Sequence, residues 1–525
     1  MKQKYNNYLL IALLVSLAFV GCRFERPISS VNKLESLLQV IGQRYVDTVD
    51  VKELVEKTIP KVLAELDPHS VYIPAKDAEE ANQDLRGSFS GIGIQFMIQS
   101  DTIYVSDVIS GGPSEKVGLM AGDRIVTIDD SLYVGKKISN DGAMKRLKGP
   151  KGSEVRLGVK RAGEKDLLSF SIIRGNIPVK SIDASYLIND RWCYMKINKF
   201  GETTYPEMLI SLAQGLQQGA QGVIVDLRGN TGGYMGSAIQ MVNEFLPKGD
   251  MIVYTEGENT PRYSEYANGH GSCQQLPIVV LTDETSASAS EIFAGAIQDN
   301  DRGTIIGRRT FGKGLVQQPI EFDDGSAIRL TIARYYTPSG RCIQKPYANG
   351  HNEEYELDLL NRYEHGEFFT QDSIKQDEST AYNTKNGRTV YGGGGIMPDI
   401  FVPQDTAGYT SYYAAVAKLG LFTRFPFEYT DKNRTVLASY TTMDELLGYL
   451  KQQNLIEQFV QHATSKGVKR RNNLINQSRS VMEDILYGNV IYNMLGMEEY
   501  VKYLNLTDPA VLKAVEILDD GKSRP

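Results

Sequence analysis

The chain has 525 residues, of which 41% are hydrophobic and 23% charged, and its formal net charge is −7. This composition is ordinary for globular proteins, so it excludes a disordered chain, a collagen-like fibre and a polytopic membrane protein. The length predicts about three domains. The mild acidity gives no electrostatic basis for nucleic-acid binding, and four cysteines and five histidines argue against a disulfide framework or a Cys/His zinc cluster. We expect no metal and no other cofactor.

The N-terminus has the pattern of a secretory signal. Lys2 and Lys4 precede an apolar run over residues 8–20, which is too short to span a bilayer comfortably. The run ends at Gly21-Cys22, which resembles a bacterial lipobox, although an ordinary signal peptide with a chance cysteine is the alternative. We predict that residues 1–21 are removed and that Cys22 carries a lipid. The protein is then expected in the periplasm or cell envelope, anchored to a membrane that the sequence does not identify.

Besides the lipidated Cys22, three cysteines remain after this cleavage, and the net charge becomes −9 because two lysines are lost with no acidic residue. Cys193, Cys273 and Cys342 are an odd number, so at most one pair can form, and the sequence does not say whether it does. None of them lies in a Cys/His protease signature. Buried small hydrophobic residues are therefore the favoured interpretation.

Periodicity divides the rest of the chain into four parts. Residues 31–66 have helical spacing, and Pro60 is expected to kink or start a helix there. From Gly87 to about residue 173 the chain has short strands punctuated by glycine. Residues 180–345 alternate continuous apolar strands with helices, which predicts a sheet covered on both faces. After a polar stretch over 346–390 and a strand over 396–402, the chain is expected to be helical again from Met443.

A serine-rich turn lies between a predicted strand and a predicted helix. It is Thr285-Ser286-Ala287-Ser288-Ala289-Ser290-Glu291. A serine at such a junction can expose its hydroxyl on a sharp turn, beside backbone N–H groups that bind an oxyanion. Taken alone the turn is equally typical of an ordinary helix N-cap.

A second stretch over residues 310–318, Thr-Phe-Gly-Lys-Gly-Leu-Val-Gln-Gln, decides between these interpretations. Residues 307–313 fit the first part of a phosphate-binding P-loop, but Gly314 stands where the Mg²⁺-binding hydroxyl is needed, so nucleotide binding is rejected. Ser288 lies 25 residues before Lys313, and Gln317 follows Lys313 by four.

These two stretches together resemble the carboxyl-terminal processing proteases, tail-specific enzymes of peptidase family S41. In that family the serine of S-A-S-E is the nucleophile, and the lysine and glutamine follow at these spacings. Residues 225–233 are similar to its D-L-R-x-N-x-G-G loop, residues 66–70 to its L-D-P-H-S element and residues 85–130 to its PDZ domain. The resemblance covers roughly residues 31–405.

The resemblance implies a mixed α+β and α/β multidomain fold with a crotonase- or ClpP-like protease core. We expect the following regions: a lipoprotein signal at 1–21, a helical region at 22–84, a PDZ domain at 85–175, the protease core at 176–428 with its polar insertion at about 346–390, and a C-terminal helical domain at 429–525.

The resemblance also implies a mechanism. Ser288 is the nucleophile, Lys313 its base and Gln317 the third member that orients Lys313. A lysine serves as base only when burial lowers its pKa, and Phe311, Leu315 and Val316 supply an apolar setting. The oxyanion is expected on the N–H groups of Gly232, Gly233 and Ala289.

Other assignments of the chemistry remain open on residues alone. Ser286 and Ser290 are alternative nucleophiles, although the family spacing selects Ser288. Glu291 is an alternative catalytic acid, but a glutamate in the first turn of a helix is also favourable for the helix dipole. A Ser-His-Asp triad is disfavoured because no G-x-S-x-G motif and no nearby histidine accompanies these stretches.

The PDZ-like segment is expected to recognise substrate tails. N–H groups of the Gly91-Ile92-Gly93 loop capture a terminal carboxylate while the peptide adds to the sheet edge, and the alternative is a simple glycine turn. By resemblance the same domain gates the active site.

The resulting prediction is a lipid-anchored serine endopeptidase that cleaves proteins with apolar C-terminal tails. An activating adaptor protein and a homodimer through the C-terminal helices are candidate partners. One alternative is a PDZ-containing adaptor with an inactive protease core. Another is a ligand-binding or acyl-transfer enzyme on a similar core.

Overall fold

The structure, a computed structural model, describes residues 29–78, 87–99, 101–135, 137–375 and 377–523, with side chains from residue 33 onward. The predicted signal 1–21 and the lipidation site Cys22 lie outside these residues. The chain divides into two compact units, residues 1–66 and residues 67–525. Within the described ranges, no helix combines the length and the apolar character that a membrane crossing requires.

The first unit contains two helices, α1 (Ser29–Arg44) and α2 (Val51–Ala64). Asp50 is the N-cap of α2. Its side chain accepts a hydrogen bond from Glu53 N at 3.1 Å, which satisfies one of the free N–H groups of the first turn. Pro60 lies inside α2 rather than at its start. The predicted helical character of residues 31–66 is confirmed.

The segment that follows forms a β-rich module. Its elements are β1 (Val71–Ile73), β2 (Ser88–Gly91), β3 (Ile94–Gln99), β4 (Thr102–Val108), α3 (Pro113–Lys116), β5 (Arg124–Ile128), β6 (Ser131–Leu132), α4 (Asn140–Leu147), β7 (Glu154–Lys160), β8 (Leu168–Ile173) and β9 (Gly175–Pro178). Six strands form one antiparallel sheet in the order β3-β4-β5-β7-β8, with β6 on β5, so β3 is an edge strand. Strands β2 and β9 pair with each other.

The central region contains the strands and helices expected for an α/β core. They are β10 (Ile182–Ile188), β11 (Trp192–Ile197), α5 (Thr204–Gln217), β12 (Gly222–Asp226), α6 (Met235–Asn243), β13 (Met251–Gly257), β14 (Thr260–Tyr266), β15 (Ile278–Thr282), α7 (Ala289–Asp299), β16 (Thr304–Gly307), β17 (Leu315–Glu321) and β18 (Ala327–Tyr336).

Two sheets share this region. The six-stranded sheet has the order β10-β11-β12-β15-β16-β21, in which β11 to β21 are parallel and β21 is Ile400–Phe401. The five-stranded sheet has the order β1-β18-β13-β14, with β17 also on β18. The strand expected over 396–402 is therefore shorter than predicted. Ile396 instead anchors a turn, where its N–H donates to Thr310 Oγ1 at 2.6 Å.

The polar stretch 346–390 is folded. It contains α8 (Glu353–Glu356), α9 (Asp358–Glu364), two short 3-10 turns, and the hairpin of β19 (Ala381–Asn383) and β20 (Thr389–Tyr391). An ion pair joins it to the core, since Glu367 lies 2.5 Å from Arg309, and a second pair inside the stretch joins Glu367 to Arg362 at 2.8 Å. Buried, well-paired charges explain why a polar sequence is ordered here.

The C-terminal part is helical, and its helices begin before the expected Met443. They are α10 (Ser411–Lys418), α11 (Leu421–Leu437), α12 (Met443–Gln452), α13 (Leu455–Ser465), α14 (Asn472–Gln477), α15 (Arg479–Leu495), α16 (Met497–Asn505) and α17 (Pro509–Asp519). Helices α10 to α15 share one apolar cluster.

The last two helices, α16 and α17, pack against the parallel sheet. Val501 of α16 and Val511 and Ala514 of α17 bury against Ile224 and Leu281 of the parallel sheet. The opposite face of that sheet is covered by α5, α6 and α7. The prediction of a sheet covered on both faces is confirmed, and the second layer comes from the far end of the chain.

The PDZ-like sheet lies against helix α11. Tyr104 meets Phe427 edge to face at 5.1 Å, and Arg124 pairs with Asp431 at 2.7 Å. At the edge strand, Gln99 Nε2 donates to Glu428 Oε1 at 2.8 Å. Aromatic, ionic and polar contacts thus fix one face of this sheet on the helical part.

Candidate active site

Ser288 occupies a strained turn between β15 and α7. Its φ is +55° and its ψ is −114°, a conformation that residues other than glycine rarely adopt. The side chain is partly exposed, whereas Ser286 and Ser290 are fully buried. A strained serine with accessible hydroxyl at a strand-to-helix junction is the arrangement expected of a nucleophile.

The two neighbouring serines tie the turn to the preceding loop. The Ser286 hydroxyl donates to Leu227 O at 2.9 Å, and the Ser290 hydroxyl donates to Asn230 O at 2.9 Å. Both hydroxyls therefore bond to buried backbone carbonyls. This placement disfavours the two as alternative nucleophiles.

Gly232 lies directly against Ser288, and Gly233 lies against Phe200. A Cβ atom on Gly232 would stand 2.7 Å from Ser288 Cβ and 3.0 Å from Ala289 N, and one on Gly233 would stand 2.2 Å from Phe200 O. The φ angles, +104° and +143°, also favour glycine. No side chain fits between this loop and the serine.

The predicted oxyanion donors are not equivalent. The Gly232 N–H donates to Asn230 Oδ1 at 2.8 Å, so it is already bonded and does not point into an empty site. This corrects its expected role: Gly232 supplies close approach rather than a free donor. Ala289 is the first residue of α7, where backbone N–H groups have no partner within the helix. Gly233 stays a prediction.

Lys313 and Gln317 lie together as the spacing predicts. Lys313 Nζ donates to Gln317 Oε1 at 3.0 Å. Gln317 lies on β17, where the pairing register with β18 shifts between Val316 and Gln317. The structure therefore places the predicted third member within hydrogen-bond reach of the predicted base.

Residues 67–70 hold the other end of Gln317, which the sequence did not predict. Gln317 Nε2 donates to the His69 carbonyl. Asp67 fixes that turn because its carboxylate accepts from His69 N and Ser70 N, each at 2.8 Å, and from Thr331 Oγ1 at 3.0 Å. The motif L-D-P-H-S was recognised only as a family element, since its contact with residue 317 is a tertiary one.

The insertion also reaches the site. The Tyr355 hydroxyl lies 2.7 Å from His69 Nε2, and its ring packs edge-on to Phe311 at 6.0 Å. Lys345 Nζ lies 4.0 Å from the centres of both rings. Burial lowers the pKa of His69 to about 4, assisted by the positive charges of Lys313 and Lys345. The neutral ring can therefore accept a hydrogen bond from the tyrosine hydroxyl at neutral pH.

The environment of Lys313 suits a base. Burial lowers the pKa of the Lys313 ammonium, and the positive charge of Arg329 acts in the same direction, while Glu291 and Asp67 oppose it. Leu315 is buried beside it in the chain, and Phe311 is partly buried. The predicted apolar setting agrees with this direction of shift.

Glu291 joins the two catalytic stretches. Its carboxylate oxygen Oε2 accepts from both Ser288 N and Lys313 N at 2.9 Å. The side chain is fully buried, and burial raises the pKa of its carboxyl while these hydrogen bonds oppose the rise. The structure therefore brings Ser288 and Lys313 to one carboxylate.

The predicted peptide-binding loop precedes the edge strand of the PDZ-like sheet. Gly91 ends β2, the side chain of Ile92 is buried in the sheet's core, and Gly93 has φ +78°. The free edge of β3 follows at once, and a peptide that adds a strand needs such an edge.

Family models match three stretches of the chain. A PDZ domain matches residues 90–172, peptidase family S41 matches residues 191–353, and a family of unknown function (DUF8443) matches residues 412–496. A solved structure, the photosystem II D1 C-terminal processing protease, aligns at 22% identity over 70% of this chain and 91% of that one, with a TM-score of 0.35.

Two curated relatives are similar over the same region. The carboxy-terminal processing protease CtpB of Bacillus subtilis is 33% identical over 60% of this chain and 66% of its own length. The carboxy-terminal-processing protease of Bartonella bacilliformis is 35% identical over 59% of this chain and 71% of its own. The chain thus spans about two thirds of these relatives. It belongs to the carboxy-terminal processing proteases, a group of serine-type peptidases in family S41 that carry a PDZ domain.

Proposed function

We propose that this protein is a serine endopeptidase that cleaves other proteins at or near apolar C-terminal tails with a Ser288–Lys313 dyad. One observation carries the proposal: Ser288 and Lys313 share one buried carboxylate oxygen, while Lys313 Nζ bonds to Gln317. The shared anchor supports a lysine close to a strained, partly exposed serine.

In this mechanism neutral Lys313 takes the proton of the Ser288 hydroxyl as Oγ attacks the scissile carbonyl carbon. The tetrahedral intermediate collapses, the peptide C–N bond breaks, and Lys313 returns the proton to the leaving amine. Water then attacks the acyl-enzyme through the same base, which releases the new C-terminus and restores Ser288. Gln317 orients Lys313 by accepting one of its hydrogen bonds.

The charge that develops on the carbonyl oxygen needs donors. Ala289 N–H, at the start of α7, is the donor that the geometry supports best, with Gly233 N–H as its partner. Loss of one such donor typically raises the barrier by about 3 kcal/mol. Gly232 serves this site by allowing the backbone to lie against Ser288.

The PDZ domain is proposed to bind substrate tails through residues 91–93 and strand β3, and to gate the active site. Gating is supported by the docking of the same sheet on α11, because β3 carries Gln99, which bonds to Glu428. A peptide added to β3 changes the strand that contacts the helical part. Because the edge of β3 and the Gln99–Glu428 contact belong to one strand, binding of a substrate tail is expected to change how the PDZ domain lies on the helical part.

The remaining proposals rest on the sequence alone. Residues 1–21 are proposed as a secretory signal and Cys22 as a lipid attachment site, which sets the protein in the periplasm or cell envelope on a membrane. An activating adaptor protein and a homodimer through the C-terminal helices are proposed partners.

The direct test is cleavage of a quenched peptide that ends in a free, apolar C-terminus. The purified protein is expected to cleave it, and the same peptide with an amidated C-terminus is expected to be cleaved more slowly. Ser288→Ala and Lys313→Ala are each expected to lose at least about 10³-fold in kcat. Full activity of either variant contradicts the dyad, and binding of the peptide without any cleavage favours the adaptor alternative.

A further inference from the structure

Two buried side chains hold all four polar backbone groups of Ser288 and Lys313. Glu291 Oε2 accepts from the N–H of each residue at 2.9 Å. The Tyr335 hydroxyl donates to the carbonyl oxygen of each, at 3.1 Å for Ser288. Residues 25 apart in sequence are therefore joined twice, once through their donors and once through their acceptors.

The Glu291 carboxylate has no acceptor capacity left. Its other oxygen, Oε1, accepts from Thr310 Oγ1 at 2.5 Å and from Gly312 N at 2.7 Å. Three of the four partners are N–H groups, which can only donate, so the ionised carboxylate matches them. These partners disfavour Glu291 as an acid catalyst, because a proton on Oε2 would face two donors.

Tyr335 is equally constrained. It lies on β18 with 1% of its surface exposed, and its own N–H donates to Gly314 O at 3.0 Å. Its hydroxyl therefore holds the two carbonyls beside one ring. Strand β18 also pairs with β17, which carries Gln317, so Tyr335 and Gln317 lie on one sheet.

We propose that Glu291 and Tyr335 are positioning residues that set the separation of nucleophile and base by clasping the two backbones. The inference rests on the proposed Ser288–Lys313 dyad. A base must lie within hydrogen-bond reach of the hydroxyl that it deprotonates, and misplacement by about 1 Å costs about 10²-fold in rate. Neither residue touches the substrate in this scheme.

The two halves of the clasp differ in charge, which gives them distinct signatures. The charged groups that act on Lys313 are Glu291 and Asp67, which raise its pKa, and Arg329, which lowers it; His69 also lies near and is neutral above about pH 4. Glu291→Gln removes a negative charge, so the pKa of Lys313 falls. Tyr335→Phe removes only a neutral hydroxyl, so that pKa stays where it is.

The test measures kcat and kcat/KM of both variants against pH with the quenched apolar-tailed peptide. Glu291→Gln is expected to lower kcat about 10²-fold and to move the rising limb of the kcat/KM profile to lower pH. Tyr335→Phe is expected to lower kcat about 10-fold with the limb unmoved. KM is expected to change less than twofold in both. Glu291→Asp keeps the negative charge but has a shorter side chain, so kcat is expected to fall without a shift of the rising part of the kcat/KM profile.

A second tyrosine–glutamate pair in the same core, half-buried Tyr205 with buried Glu244, supplies the control. The Tyr205 hydroxyl donates to Glu244 Oε1 at 2.7 Å, and Glu244 Oε2 accepts from Ser272 N at 2.8 Å. Tyr205→Phe and Glu244→Gln remove the same groups from a carboxylate that serves neither Ser288 nor Lys313. They are expected to lower Tm as much as the clasp variants while keeping kcat within threefold of the wild type.

Three results overturn the inference. The first is a wild-type kcat for Tyr335→Phe, and the second is a Glu291→Gln profile without any shift. In the third, the control variants lose as much kcat as the clasp variants. Should Glu291→Gln fail to fold, Tyr335→Phe decides alone. Ser288→Ala and Lys313→Ala run in parallel: if they retain activity, the dyad itself fails, whereas inactive alanine variants beside fully active clasp variants reject only the clasp.

Discussion

At the scale of single residues, the site depends on one strained serine held in place by a glycine. Ser288 takes a positive φ, and Gly232 lies so close to it that any side chain would collide. Positive φ at a non-glycine residue costs on the order of 1–3 kcal/mol, which the hydrogen bonds around the turn must offset. Strain at this point is consistent with a role in chemistry rather than in stability.

Gly232→Ala therefore tests whether close approach matters. The added methyl would stand 2.7 Å from Ser288 Cβ, so we expect at least about 10²-fold loss of kcat. Gly229→Ala is the matched control, because Gly229 also has positive φ, at +76°, but has no atom within 4 Å of the added methyl. Gly229→Ala is expected to lose about 1 kcal/mol of stability in urea unfolding, and Gly232→Ala is expected to lose more because of the added collision. Equal activity of the two would reject the steric argument.

Sequence reasoning located Ser288, Lys313 and Gln317, but not what holds them. The family spacing is local information, and the lysine–glutamine hydrogen bond follows from it. Glu291 was assigned to the helix dipole because its partners Gly312 and Lys313 lie some 20 residues further along the chain. Contacts between separate loops leave no periodic signal in the sequence.

At the scale of elements, the turn of residues 67–70 connects the insertion to Gln317. The His69 carbonyl accepts from Gln317, and its ring meets Tyr355 of the insertion. The ring is partly buried between two lysine charges, which is why its pKa falls to about 4. This turn therefore contacts both the insertion and Gln317.

Stability is expected to depend on pH through His69. The pKa of this ring is about 4 in the folded protein and 6.5 normally, so between these values the unfolded chain binds a proton that the folded protein does not. Stability therefore falls as the pH is lowered through this window, by at most about 1.4 kcal/mol per pH unit. Thermal unfolding at pH 7 and pH 5 is expected to give a smaller loss of Tm for His69→Gln than for wild type. An equal loss in both would contradict the assigned environment of the ring.

Elements with strong periodicity were predicted well, and others were not. The helical spacing of residues 31–66 corresponds to α1 and α2, and the apolar strands expected within residues 180–345 form most of the six-stranded sheet. Helices α10 and α11 were missed, because their buried positions are aromatic and Pro426 interrupts the pattern. The order of residues 346–390 depends on buried ion pairs, which composition does not reveal.

At the scale of the whole molecule, the second unit combines a peptide-binding sheet, a protease core and a helical bundle. Three contacts on α11 repeat along one face of that helix: Phe427 meets Tyr104, Asp431 meets Arg124, and Arg434 approaches Gly122. The spacing of four and then three residues places them on one stripe. The region that matches a family of unknown function is thus the support on which the PDZ sheet rests.

Charge reversal tests this support. Arg124→Asp places an aspartate opposite Asp431, so we expect faster hydrogen exchange in β3 to β5 and in α11. The effect is expected to be modest, because a partly buried ion pair of this kind contributes about 1 kcal/mol or less. Adding Asp431→Arg is expected to restore slow exchange. Arg156→Asp is the control, since Arg156 pairs with Asp130 inside the same sheet at 2.8 Å. Unchanged exchange at α11 in Arg124→Asp would contradict the docking.

The central claim is that Ser288 is the nucleophile and Lys313 its base. The most direct measurement is the rate at which a fluorophosphonate modifies the purified protein between pH 6 and 10, with the adduct located by tandem mass spectrometry. The account predicts one adduct, on Ser288, which forms faster as the pH rises and Lys313 loses its proton, and which forms at least about 10²-fold more slowly in Lys313→Ala. An adduct on another serine, or an equal rate in Lys313→Ala, would contradict it.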